Sequence, residues 1–242
     1  MKVTVERSEL LKSLGHVHRV VERRNTIPIL ANVLLHGDRS KLSLKATDLD
    51  IEVIDTIAAE VTPGGSTTVP AHMFFDIVRK LPEGAQIALE SSGDRAALAI
   101  RAGRSRFTLQ SLPESDFPDY ARVIPVGNDK ELVVDKKEFE AAVDRVSTVS
   151  SERGRAVKLS VNAGRLLLSV TNPDSGSANE ELEVEYEADP IDIGFNSRYL
   201  LDIAAQIESE AAVLKLADPG SPTLIQDKEQ RGALYVLMPM RV

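Results

Sequence analysis

Phe117-Pro118-Asp119-Tyr120 is the hinge of this 242-residue sequence. Proline fixes its own φ and biases the residue before it toward extended backbone, so the stretch reads as a connector. Upstream from Met1, and downstream from about Lys130, one order of elements is written twice. The spacing predicts two similar units, residues 1–117 and 118–242, each of ordinary domain size.

In the upstream copy Lys2-Val3-Thr4-Val5 alternates as a half-buried strand does, and Ser8 can N-cap the helix after it. Leu10, Leu14, Val17 and Val21 then form one helical face, with Lys12, His16, Arg19 and Arg23 on the other and Arg24 after them. On spacing alone a solvated basic face is preferred to one laid against phosphates. Strands come next at 29–36 and 41–45 around a Gly37–Ser40 turn, and at 48–58. In the last of these, Asp48, Asp50 and Glu52 read as outward-facing rather than as a metal cluster. Pro63-Gly64-Gly65 is a turn. A helix over 71–81 turns Phe74, Ile77, Val78 and Leu81 inward and His72, Arg79 and Lys80 outward, and strands at 87–90, 96–101 and 105–109 close the copy.

The downstream copy repeats this order. A strand at 131–134 leads to Asp135 and Glu138, spaced as a capping box, and then to the apolar face Phe139, Ala142, Val143 and Val146. A hairpin over 157–170 and a strict period-two strand at 181–187 come next. After a strand at 191–195, a helix over 198–208 carries Leu200-Leu201-Asp202-Ile203 where the first copy has Phe74-Phe75-Asp76-Ile77. Strands at 212–216, 223–226 and 233–239 finish the chain. The fold class is α+β, with helices gathered on one side of antiparallel sheets.

Composition narrows the function. The net charge of −8 sits wholly downstream: residues 1–117 hold 15 Lys+Arg and 15 Asp+Glu, the rest 14 and 22. That argues against a simple basic DNA-binding domain but allows a local basic face. Aromatics at 4%, with no Trp, disfavour a base-stacking surface, and the lack of Cys removes thiolate chemistry. No signal peptide or membrane span is read, so a cytoplasmic protein is expected. His16 and His18 lie two apart, His36 and His72 elsewhere. Zinc spacing, a phosphate-binding Gly-Lys loop and a serine elbow are all missing. The reading is a non-enzyme with no catalytic residue, metal or cofactor.

Two strands carry opposite charge. Arg101, Arg104 and Arg106 flank one in the first copy, and Glu180, Glu181, Glu183, Glu185 and Glu187 line one in the second. Protection of strand edges is the preferred reading from pattern alone. A head-to-tail contact between chains is the other.

Longer strings carry a resemblance. Residues 1–7 (MKVTVER), 26–32 (TIPILAN), 46–50 (ATDLD) and 103–107 (GRSRF) resemble the N-terminal domain of the bacterial DNA polymerase III β subunit, the sliding clamp family. Residues 117–120 (FPDY), 193–196 (IGFN) and 235–241 (YVLMPMR) resemble that family's C-terminal domain. Members have three such domains; this chain resembles domains one and three, with the middle one missing at the Phe-Pro junction.

The resemblance implies two copies of the DNA clamp, or processivity-fold, domain, with sheets outside and two helices per domain inside a ring around duplex DNA. Channel residues would be Lys12, Arg19, Arg23, Arg24, Arg79 and Lys80, with Lys137, Arg145 and Arg198 from the second copy; Lys136 and Arg153 are weaker candidates. The contact between chains would use Arg104, Arg106, Phe107 and Leu109 on one side and Thr148, Val149, Glu180, Glu181 and Glu183 on the other. Partner peptides, from the polymerase catalytic subunit and the clamp loader, would enter a cleft at Pro118, Arg122, Val123, Asn196, Tyr199, Val236, Met238, Pro239, Met240 and Arg241. One wall of that cleft belongs to the missing domain. Thr47-Asp48-Leu49-Asp50 would stand in its place with acidic residues, so weakened peptide binding is expected. Six domains would need three chains; the alternative is a non-encircling module that binds partners or poisons rings.

Overall fold

The computed structural model describes residues 1–23, 25–91, 96–118, 124–150, 155–229 and 232–242. The chain forms two compact units, Met1–Asp119 and Tyr120–Val242.

The first unit runs β1 (Lys2–Glu6), α1 (Arg7–Val17), β2 (Asn32–Asp38), β3 (Lys41–Thr47), β4 (Ile51–Ala58), β5 (Glu60–Val61), β6 (Gly65–Pro70), α2 (Ala71–Lys80), β7 (Gln86–Ser91), β8 (Ala97–Ala102) and β9 (Ser105–Gln110). One antiparallel sheet has the order β5-β1-β7-β8-β9, which leaves β9 at an edge. The other strands pair β4-β3-β2-β6. Helices α1 and α2 pack on each other, with α1 against β3 and β4 and α2 against β6. Val3, Leu10, Leu14, Leu44, Phe74, Val78 and Leu89 are sealed from solvent, so the core is mainly aliphatic around Phe74.

The second unit runs β10 (Lys130–Asp135), α3 (Lys136–Ser147), β11 (Ala156–Asn162), β12 (Arg165–Asn172), β13 (Gly176–Glu183), β14 (Ile191–Asn196), α4 (Ser197–Ala204), β15 (Ala211–Leu216), β16 (Thr223–Asp227) and β17 (Ala233–Leu237). Its strands pair β13-β12-β11-β14 and β10-β15-β16-β17, again antiparallel. Helices α3 and α4 pack together. Asp135 caps α3 by accepting from the Glu138 amide at 2.9 Å, as the sequence predicts.

Several boundaries differ from the sequence reading, each for a local reason. Glu6, not Ser8, caps α1: its carboxylate accepts the Ser8 and Glu9 amides at 2.7 and 3.2 Å. Helix α1 stops at Val17 and tightens to a 3-10 turn over His18–Val20. Val17, Val20 and Val21 are stiff at χ1, and His18 turns to bond the Leu14 carbonyl, so the helix does not reach Arg23. Pro28 seeds a 3-10 turn that delays the next strand to Asn32. Strand β13 spans Gly176–Glu183; beyond it Glu185 exchanges both backbone bonds with Val133 at 3.0 and 3.1 Å. Helix α4 ends at Ala204, four residues early, and the last strand ends at Leu237.

Strand β6, the strand-like segment that follows Gly64 in the sequence, buries Thr67 and Thr68 together with Val69. Thr68 Oγ1 accepts from Asn32 and from the Leu112 amide and donates to the Leu112 carbonyl, which satisfies a hydroxyl with no exposure. The outward reading of β4 also fails. Asp48 and Asp50 lie in the turn before the strand, whereas Glu52 is buried and burial raises its carboxyl to about 8.

Candidate nucleic-acid and partner surfaces

Charge on the helices is unequal. In the first unit Lys12, on α1, and Arg79 and Lys80, at the end of α2, are exposed. Arg19 is exposed on the 3-10 turn and Arg23 in the loop beyond it, so these cations do not form one helical stripe. Arg24 lies outside the described residues. His16 leaves the basic set altogether: its Nδ1 is 2.7 Å from Asp55 Oδ2 on β4, and both side chains are nearly solvent-free. That pair ties α1 to the sheet.

The two helices are joined by a ring cluster. His18 stacks on Phe75 with centroids 3.8 Å apart and meets His72 edge-on at 5.7 Å. His72 Nε2 reaches the Val21 carbonyl at 2.7 Å, and Arg79 lies over Phe75 at 5.8 Å. Arg7 donates to the carbonyls of Val78 and Arg79, at 3.2 and 2.7 Å, satisfying the C-terminal end of α2. Burial lowers the His18 pKa, and the neighbouring His72 and Arg19 lower it further, so the ring is neutral at pH 7.

In the second unit the cations are largely engaged. Arg145, on α3, donates through Nε to Glu180 Oε2 at 3.0 Å and through Nη2 to Oε1. Arg198 is 3.7 Å from Asp202, one turn along α4. Lys136 donates to the Ile207 carbonyl at 2.6 Å. Lys137 is exposed at the start of α3, among Glu138, Glu140 and Asp144. Arg153 lies outside the described residues. Engagement is not confined to this unit, since on α2 Arg79 donates to Asp76 at 3.0 Å.

The two charged edges stand on real sheet edges. Strand β9 ends its sheet, with Arg104, Arg106 and Phe107 exposed beside it, and β13 ends its own sheet, with Glu181 and Glu183 exposed. Thr148 is exposed and Val149 half-buried just past α3. Two residues depart from the expected edge. Leu109 is only 7% exposed and faces its own core. Glu180 is held by Arg145, whose hydrogen bond lowers the carboxyl pKa. Arg101 is likewise paired, with Glu90 at 3.5 Å.

Of the residues expected at the peptide cleft, Asn196 and Tyr199 lie where β14 meets α4. Asn196 caps α4 by accepting the Arg198 amide at 3.0 Å, with Tyr199 half-buried in the first turn. The segment after β17 returns to this place, and the Met240 amide donates to the Gly194 carbonyl at 2.8 Å. Met238, Pro239 and Met240 are half-buried, Arg241 is exposed, and Val236 is buried inside β17. Glycine at 194 is a steric requirement. A Cβ there would lie 2.3 Å from Val242 Cγ1 and 2.6 Å from the Met240 carbonyl oxygen. Sequence reasoning missed this role, although the IGFN string (193–196) contained it. Pro118 is half-buried; Arg122 and Val123 lie outside the described residues.

Among the described residues no group of three or more His, Cys, Asp or Glu could hold a metal, and no helix is long and apolar enough to cross a membrane.

Comparison with known proteins fits this architecture. Residues 1–121 match the family model described as DNA polymerase III beta subunit, N-terminal domain, and residues 121–241 the model for its C-terminal domain. The beta sliding clamp of Caulobacter vibrioides is 36% identical over 372 residues, and that of Escherichia coli K12 28% over 368, each alignment covering all of both chains. Solved sliding clamps from Bartonella birtlesii, bound to griselimycin, and from Caulobacter crescentus superpose with TM-scores of 0.51 and 0.50 at 35% and 36% identity, covering all of both chains. With 242 residues, this chain lacks a stretch that those relatives have. The two matched models are the family's terminal domains, so the missing stretch is the middle domain.

Proposed function

This chain belongs to the DNA polymerase III β-subunit family, the sliding clamps, and from that membership we propose that it is a two-domain sliding clamp. Three copies close six domains around duplex DNA and tether the replicative polymerase without catalysis. The observation that carries the reading is the pairing of opposite edges in one chain. Strand β9 offers Arg104, Arg106 and Phe107, and β13 offers Glu181 and Glu183. An edge that matches a different edge on the next copy makes a head-to-tail contact, and such contacts close into rings when the rotation allows.

DNA is held through phosphates alone. Lys12, Arg19, Arg23, Arg79 and Lys80 supply cations without base-reading geometry, which suits sliding. The net charge of −8 discourages DNA from the remaining surface. Partner peptides of the polymerase and the clamp loader dock at Tyr199, Met238, Pro239 and Met240, where flexible methionines accommodate more than one sequence. Such a ring works in the cytoplasm, where the chromosome is replicated.

Light scattering at micromolar concentration tests the assembly. The expected mass is about three times 26.4 kDa. A monomer overturns the ring and favours the other reading, a non-encircling partner-binding module, to which the engagement of Glu180 by Arg145 lends support. Retention on nicked circular DNA that is lost on linearisation is the second expected result.

A further inference from the structure

The second unit carries a cavity of about 380 Å³ between the end of α3 and the first turns of α4. Its walls include Ser147, Ser150, Arg155, Ser197, Arg198 and Asp202. Neither the edge contact nor the peptide cleft uses it, and of these residues only Arg198 has a role so far, as a channel cation. Ser197 points to a ligand. It is 4% exposed, and among the described residues its hydroxyl meets no hydrogen-bond partner. Its amide is already bound to the Arg155 carbonyl at 2.8 Å, which also fixes Arg155 beside α4. A buried hydroxyl left unpaired costs stability, and an acceptor placed in the cavity offsets that cost.

Water satisfies a lone hydroxyl; the charge beside this one selects an anion instead. Arg155 and Arg198 face the single carboxylate of Asp202. Arg198 Nε is 3.7 Å from Asp202 Oδ2, an ion pair too long for a hydrogen bond, so that pair leaves the guanidinium hydrogens for another acceptor. Ser150 brings a second hydroxyl from the turn after α3, whose form is set by the bond from its amide to the Ser147 carbonyl at 2.9 Å. Ser147 is only a wall, because its own hydroxyl donates to the Asp144 carbonyl at 2.9 Å. Two hydroxyls and two planar cationic forks on different elements suit an anion with several oxygens, a phosphate rather than a carboxylate.

We infer that this cavity is a phosphate site, seating one phosphate of a nucleotide or of a nucleic-acid strand between the hydroxyls of Ser150 and Ser197 and the guanidiniums of Arg155 and Arg198. The site is held before any ligand arrives, since the Arg155–Ser197 backbone bond and the Ser147–Ser150 turn already place its walls. Where the phosphate belongs to a strand, the inference rests on the reading that this chain holds DNA. It then adds to that reading a fixed seat on the second unit, unlike the exposed cations of the first.

The test uses the full chain labelled with nitrogen-15 and titrated with inorganic phosphate, against chloride at matched ionic strength. Phosphate is expected to shift the amide signals of Ser150, Ser197 and Arg198 saturably, and chloride to leave them in place. Ser197→Ala is expected to weaken phosphate binding about fivefold, the worth of one hydrogen bond, and to melt at the wild-type temperature or above it, because an unpaired buried hydroxyl is gone. Arg198→Gln is expected to weaken it about tenfold, and Arg198→Lys to restore part of the loss. The absence of a saturable shift overturns the inference. So does wild-type phosphate affinity in either Ser197→Ala or Arg198→Gln, and the second variant, on an exposed side chain, keeps the test open if the first fails to fold. Deoxyadenosine monophosphate and a short duplex without terminal phosphates then compete with phosphate. Displacement by the duplex assigns the seat to a strand; displacement by the nucleotide alone upholds the phosphate site and overturns its use by a strand. A duplex that moves no signal on either unit overturns the DNA reading itself, while the phosphate shifts stand apart from it.

Discussion

Gly194→Ala probes the place where the segment after β17 returns to β14. The new Cβ would sit 2.6 Å from the Met240 carbonyl oxygen and 2.3 Å from Val242 Cγ1. A side-chain tip can swing away, but a backbone oxygen moves only with its segment. The segment must lift, and the 2.8 Å bond from the Met240 amide to Gly194 breaks. One backbone bond is worth about 1 kcal/mol. Exposing the half-buried Met240 side chain adds about 1 kcal/mol at roughly 25 cal/mol per Å². Alanine returns about 0.5–1 kcal/mol as a better strand residue than glycine. The net loss is about 1 kcal/mol, or roughly 4 °C in the melting of the second unit. Hydrogen exchange by mass spectrometry locates it: the Met240 amide should lose protection while β11 keeps its own. Peptide affinity should fall with it if Met238, Pro239 and Met240 form the proposed cleft, because they leave it together. A variant that melts higher than wild type and keeps Met240 protected would refute the reasoning.

Three further changes test other parts of the structure. Asp55→Ala leaves the nearly enclosed His16 without its 2.7 Å partner and frees the Thr56 amide, so urea titration should show a loss of about 2–3 kcal/mol. Burial raises the Glu52 carboxyl from 4.5 to about 8, so its favourable contribution is complete below pH 4.5 and is lost as pH rises through 8; Glu52→Gln should match wild type at pH 4 and exceed it at pH 9 in thermal melts. Arg106→Glu should turn the light-scattering mass into that of a monomer, and Glu183→Arg added to it should restore part of the assembly; a trimer that survives the single change refutes the edge contact.

Periodicity was enough for the architecture because each copy obeys it. The β1, β3 and β8 strands alternate cleanly, α2 and α3 carry apolar faces, and Asp135 with Glu138 announces a helix start. It failed where a side chain answers to a distant partner. His16 shares its spacing with Lys12 and Arg19, yet a carboxylate 39 residues away claims it. Glu180 looks like any glutamate of an alternating strand until Arg145 arrives from a helix 35 residues earlier. Thr68 is sealed inside its strand because its hydroxyl is satisfied by Leu112, 44 residues on. The cleft is proposed only through the resemblance, since a Val-Leu-Met-Pro-Met tail reads by itself as a final strand. Gly194 shows why: its requirement comes from Met240 and Val242, which no local pattern links to it.

The Arg145–Glu180 pair has a kinetic consequence. Glu180 carries a carboxylate already neutralised from within, so it adds little to the long-range pull on an approaching arginine-bearing edge. That pull falls to Glu181 and Glu183, which are exposed, and Glu181 is only loosely shared with Arg165 at 3.7 Å. What the pair does instead is pin β13 to α3, so the strand arrives at an encounter already straight. In the proposed edge contact, salt should then slow the meeting of two copies far more than it shortens the life of the joined state, since screening acts on approach and short-range contacts act on release. A ring closed through that proposed contact would assemble at a rate set by its surroundings and stay closed for a time set by its own short-range contacts.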